Sequence, residues 1–99
     1  MVAYVIAIKE ETLDPEGMKA YSVKGTAAFD GLDFTVRAAY GRTEFLEGEP
    51  AESVVIVEFP TFEAAQNWYR SPIYQEAVAL RLSCARFRLI LVDGVAQPP

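Results

Sequence analysis

Glu58 is the lone carboxylate in an apolar run, VVIVEFP, from Val54 to Pro60. A carboxylate among apolar neighbours can exchange a proton near neutral pH, because desolvation favours its neutral form. Arg37, in DFTVRAAY (Asp33–Tyr40), is the cation that chain topology can bring beside it. If these two segments form a hairpin, Arg37 and Glu58 stand at roughly symmetric positions and can pair across the strands. Two readings stay open. In one, the pair faces an apolar cavity, with Glu58 as base or orienting group and Arg37 holding developing negative charge. In the other, it is an ion pair at a sheet edge or a dimer interface.

Trp68, Tyr69 and Tyr74 form a second constellation around RSP (Arg70–Pro72). Rigid rings of this kind wall ligand pockets, and they equally anchor a helix break onto a sheet. Arg81 either binds an anion or pairs with Glu76 or another acid near its helix. Arg86 and Arg88 share a strand face with Ile90 and Val92, which places them beside a dimer seam or reaching to water. Ser71 reads as a helix cap and Cys84 as a small core residue.

What is missing narrows the chemistry further. The chain has no histidine and one cysteine. Histidine-based nucleophile systems, thiolate metal clusters and an internal disulfide are therefore excluded, and neither a metal nor a cofactor is expected. Fourteen acids against nine bases give a net charge of −5. Without a cluster of Lys and Arg there is no footprint for nucleic acid. No stretch approaches the roughly 20 apolar residues of a membrane span, and no basic segment precedes an apolar one at the N-terminus. A cytoplasmic protein without membrane or nucleic-acid partners is the expectation.

The elements that position these residues follow from periodicity and caps. VAYVIAIK (Val2–Lys9) reads as a buried strand. Asp14-Pro15 starts a helix carrying Met18, Tyr21, Gly25 and Ala28 and ending near DGLD. Asp33–Tyr40 reads as a second strand, and the polar connection after it has room for a short extra strand at Thr43–Leu46. Ser53–Pro60 is the clearest strand; Thr61 caps a helix through Phe62, Ala65, Trp68 and Tyr69. Ser71-Pro72 opens a separate helix to about Ser83, and Arg86–Gly94 is the last strand. The order is that of an α+β, ferredoxin-like βαββαβ domain: a four-stranded antiparallel sheet, helices on one face, the second helix broken near Ser71. It spans residues 1–95, with 96–99 a loose tail.

The strands are apolar on both faces. Tyr4, Ile6 and Ile8 oppose Ala3, Val5 and Ala7; Val54 and Ile56 oppose Val55, Val57 and Phe59. Helices cover one face only, and soluble monomers seldom leave a large apolar patch bare. A homodimer through the sheet face is the expected solution.

YVIA (Tyr4–Ala7), DPEGMKAY (Asp14–Tyr21), VR (Val36-Arg37), LEG (Leu46–Gly48), VVIVEFPTFEAAQNWYRSPIYQ (Val54–Gln75) and LRLSCARFRLILVDG (Leu80–Gly94) together resemble the domain-of-unknown-function 1330 family. The resemblance implies a dimeric α+β barrel. It also implies a superfamily whose members include cofactor-independent monooxygenases, muconolactone isomerases and polyketide cyclases, acting on apolar or aromatic compounds beside the sheet. Such kinship is an analogy of fold, not of chemistry. Where that family usually has a glycine-rich RGG, this chain has Arg37-Ala38-Ala39-Tyr40-Gly41, so Tyr40 and two methyl groups are expected to narrow the rim.

Three functional expectations result. The first is a homodimer binding a small apolar or aromatic molecule in a cavity beside the sheet, with Arg37, Tyr40, Glu58, Trp68, Tyr69, Tyr74 and Arg81 as ligand-facing candidates. The second is a cofactor-independent isomerase, cyclase or monooxygenase using Glu58 as base. The third is a structural or regulatory dimer whose cavity its own side chains fill.

Overall fold

A computed structural model describes residues 1–96, so the expected tail lies outside the described residues from Gln97 onward. Seven elements follow in order: β1 (Ala3–Thr12), α1 (Pro15–Ala27), β2 (Thr35–Ala39), β3 (Ser53–Phe59), α2 (Phe62–Arg70), α3 (Pro72–Leu82) and β4 (Ala85–Asp93). The strands make one antiparallel sheet in the order β2-β3-β1-β4. This is the expected ferredoxin-like arrangement, with the two apolar strands β1 and β3 in the centre.

The caps are those that the sequence announces. Asp14 accepts the Glu16 N–H at the start of α1, and Thr61 accepts the Ala64 N–H at the start of α2. Ser71 does double duty at the α2–α3 break. Its backbone is extended, its Oγ accepts the Tyr74 N–H, and its hydroxyl donates to the Trp68 carbonyl at 2.8 Å. The two helices are thus joined at a fixed corner, and the rings of Trp68 and Tyr74 are held on either side of it.

Two boundaries differ from expectation. β1 continues to Thr12, past a bulge at Lys9–Glu11, because main-chain pairing with β4 continues there although the side chains have turned polar. No strand forms at Thr43–Leu46; among the described residues the connection from Gly41 to Ala51 has none. That connection is tied down only at its end, where Glu52 accepts the Thr12 N–H and hydroxyl, and its N–H bonds the Lys9 carbonyl at 2.8 Å. Those bonds hold the Glu52 carboxyl below its ordinary pKa.

Ala3, Val5, Val57 and Phe59 face the helices and are buried, with Ala65, Trp68, Tyr74, Ala77 and Val78 packed over them. α2 and α3 sit on the sheet. α1 packs instead against α3. Its N-terminus is fastened where the Leu13 and Asp14 N–H groups bond the Cys84 carbonyl at 2.7 and 2.9 Å. A side chain at Gly17 would overlap the Cys84 sulfur, so glycine is what permits this approach. Beyond that anchor α1 stands off the strands.

Candidate functional site

The gap under α1 is an apolar cleft of about 580 Å³. Val55, Val57 and Leu89 form its floor, Tyr21 and Gly25 of α1 its roof, and Phe29 and Phe34 close one side. The opening falls beneath Gly25 because that position has no side chain to lower onto the sheet. Tyr21, one turn earlier, swings its ring along the helix instead, with Cζ 3.6 Å from where a Gly25 Cβ would stand.

The deep wall is aromatic. Trp68 lies 4.3 Å from Tyr74 between ring centroids, 5.2 Å from Phe29 and 5.5 Å from Phe59. Tyr21 meets Tyr74 edge-on at 6.5 Å and tilts against Phe87 at 6.2 Å. Such offset contacts suit the ring quadrupoles and keep the wall rigid. A volume of this size, with a few polar groups on apolar walls, suits a small organic molecule.

The candidate residues fall in four places. Trp68, Tyr74 and Tyr40 line the cleft, and Ala39 and Tyr40 stand at its rim as expected. Tyr40 has φ +57°, a left-handed conformation a bulky residue seldom adopts, so the backbone there is strained to place it. Tyr69 lines a smaller hollow of about 300 Å³ between α2 and β4. Arg81 lies behind the wall, 6% exposed. It does not pair with Glu76, which takes Lys24 at 3.5 Å. Its guanidinium donates instead to the Tyr74 hydroxyl at 3.1 Å and lies over the rings of Phe87 and Tyr21, 5.1 and 5.7 Å away.

Arg37 and Glu58 do meet, but on the other face of the sheet. Glu58 stands opposite Thr35; a bulge between Val36 and Ala38 lets Arg37 reach back diagonally. Nε and Nη2 each donate to one carboxylate oxygen at 3.2 Å, a two-pronged pair. The bonded carboxylate holds the guanidinium above its ordinary pKa. Glu58 shares its face with Ile56 and Tyr4, whereas the cleft opens on the side of Val57. A base acting inside the cleft would have to come from elsewhere. Arg86 is likewise taken up, by Glu11 at 2.7 Å.

Tyr21, Phe29, Phe34 and Phe87 are wall residues that were not nominated from the sequence. Tyr21 and Gly25 carried a usable signal: a large residue followed, four positions later, by no side chain on one helix face. Phe29 carried none, since it lies in the turn after α1, and Phe34 stands just before β2. No group of three or more histidine, cysteine, aspartate or glutamate side chains among the described residues could hold a metal. No helix among them is long and apolar enough to cross a membrane.

A family model described as a domain of unknown function (DUF1330) matches residues 2–95. No curated protein matches the chain. Among solved structures, RPA0582, a protein of unknown function from Rhodopseudomonas palustris, superposes with a TM-score of 0.75 at 23% identity, over 97% of this chain and 84% of that one. A dimeric ferredoxin-like protein of unknown function from Jannaschia sp. CCS1 gives 0.65 at 15%, over 95% of this chain and 100% of that one. SnoaB, a cofactor-independent oxygenase from Streptomyces nogalater, gives 0.59 at 13%, over 99% and 96%. At these identities the likeness is one of fold.

Proposed function

The chain belongs to the DUF1330 family, and we propose that it is a homodimeric small-molecule-binding domain whose site is the cleft under α1. The observation that carries this is the cleft itself: about 580 Å³ bounded by a rigid aromatic wall and apolar strands. A concave space of that size, with apolar walls and a few polar groups, has the dimensions and lining of small-molecule sites. Dimerisation draws support from the bare sheet face. Ile90 and Val92 are 39% and 43% exposed there, beside the partly covered Ile6, Ile8 and Ile56. Similar folds from Jannaschia, Thermobifida fusca and Bacteroides fragilis are described as dimeric.

Trp68 is the chain's one tryptophan and lines the cleft, so it reports occupancy directly. Ethylbenzene titrated into ¹⁵N-labelled protein is expected to move the Trp68 indole N–H resonance saturably. Ala39→Phe, which puts a ring at the mouth without touching the core, should weaken that binding by about fivefold or more, the worth of roughly 1 kcal/mol. A resonance that stays put through saturation with ethylbenzene would sink the assignment of the cleft.

A further inference from the structure

Arg81, Tyr74 and Tyr21 form a hydrogen-bonded chain at the cleft wall, and the chain has a direction. Arg81 is buried, and no carboxylate pairs with it among the described residues. The faces of Phe87 and Tyr21, the C-terminal turn of α3 and the Tyr74 hydroxyl stabilise its charge in place of an acid. A guanidinium has donors only. Tyr74 Oη therefore accepts from Arg81, and the one hydrogen it carries is free to go to Tyr21 Oη, 2.8 Å away. The opposite orientation would point two donors at Tyr74 and strand its own hydrogen at a position only 3% exposed. Burial, which raises the Tyr74 pKa, keeps that hydrogen in place.

Tyr21 is consequently an acceptor toward Tyr74, and its own hydroxyl hydrogen is left over at the cleft. Each bond in such a chain polarises the next, and the cation stands at its head. Trp68 carries a further buried donor without an acceptor, its Nε1–H, on a ring that lines both the cleft and the smaller hollow. The spare capacity of the deep wall is thus donor capacity. A complementary ligand brings an accepting oxygen on an apolar body.

We infer that the cleft takes a small apolar ring compound bearing a carbonyl-type oxygen, which the Tyr21 hydroxyl receives at the end of the Arg81–Tyr74–Tyr21 chain. This rests on the cleft being a ligand site, and it adds the class of ligand and the residue that selects it.

Acetophenone and ethylbenzene have nearly the same shape and differ in one acceptor oxygen. Titrated separately against the Trp68 indole resonance, acetophenone should bind about fivefold or more tightly, the usual worth of one net hydrogen bond. Tyr21→Phe keeps the ring under Arg81 and should bring acetophenone down to the affinity that the same variant has for ethylbenzene. Tyr74→Phe breaks the chain one link back but leaves the Tyr21 hydroxyl, so it should trim the same preference by less than Tyr21→Phe does. Equal binding of the two probes to the wild-type protein overturns the inference while the cleft remains a site; so does a preference that survives Tyr21→Phe. Binding of neither probe overturns both. The wild-type comparison needs no variant to fold.

Discussion

The two faces of the sheet are made of nearly the same residues and have become different things. On β1, Val5 and Ala3 lie under the helices and Ile6 and Tyr4 lie on the outside; on β3, Val57 and Phe59 stand against Ile56 and Glu58. The inner face became a core with a cleft beside it, because α2 and α3 settle on the strands and α1 does not. The outer face carries an ion pair on an apolar field, with no helix of the described residues above it. Apolar strand content therefore indicates that both faces need covering. It does not indicate which face keeps a space.

The largest expected difference is in stability. Phe59→Ala opens a cavity at a fully covered position and should cost about 3–5 kcal/mol in a denaturant titration. A small loss there would mean that the inner face is not the core. Outside, Ile90→Asp should leave the fold intact and weaken self-association by about a hundredfold, the scale of burying one unpaired charge. Sedimentation velocity would then show the mass of one chain where the parent shows two; a parent that already sediments as one chain removes the dimer.

Alkali separates the faces more gently. Burial raises the Tyr74 pKa, so the folded protein holds this proton more tightly than the unfolded chain does. The stability it brings is intact below the ordinary phenol value of about 10 and is lost as pH rises beyond it. Tyr74→Phe should flatten that alkaline decline in thermal melts taken between neutrality and high pH. The smallest effect belongs to the outer pair. Glu58→Gln keeps one bond to Arg37 at its amide oxygen and loses the other, whose acceptor becomes a donor, and exposed pairs are worth at most about 1 kcal/mol. A change within that bound, with probe binding unaltered, agrees with a pair remote from the cleft. Loss of cleft binding in Glu58→Gln would join the two faces functionally.

The caps at Asp14, Thr61 and Ser71, the four strands and the helix break were legible because each depends on neighbours in sequence. The contact between Arg37 and Glu58 was legible too, from the symmetry of a hairpin, although the bulge made it diagonal. The absent strand at Thr43–Leu46 was not. Its residues have adequate strand propensity, but among the described residues they pair with no strand, and local preference without a pairing partner forms no ladder.

The sequence by itself determined the element order, the antiparallel sheet, both apolar faces and the absence of histidine chemistry, since these rest on residue identity and short-range periodicity. Tertiary structure alone decided that Glu58 points away from the cleft, that Arg81 finds a tyrosine and two rings instead of Glu76, and that the Tyr21 and Tyr74 hydroxyls meet. The last of those depends on where α1 comes to rest. That is set by the fit of Gly17 against Cys84 and of α1 against α3, contacts between residues far apart in the chain that no local pattern encodes.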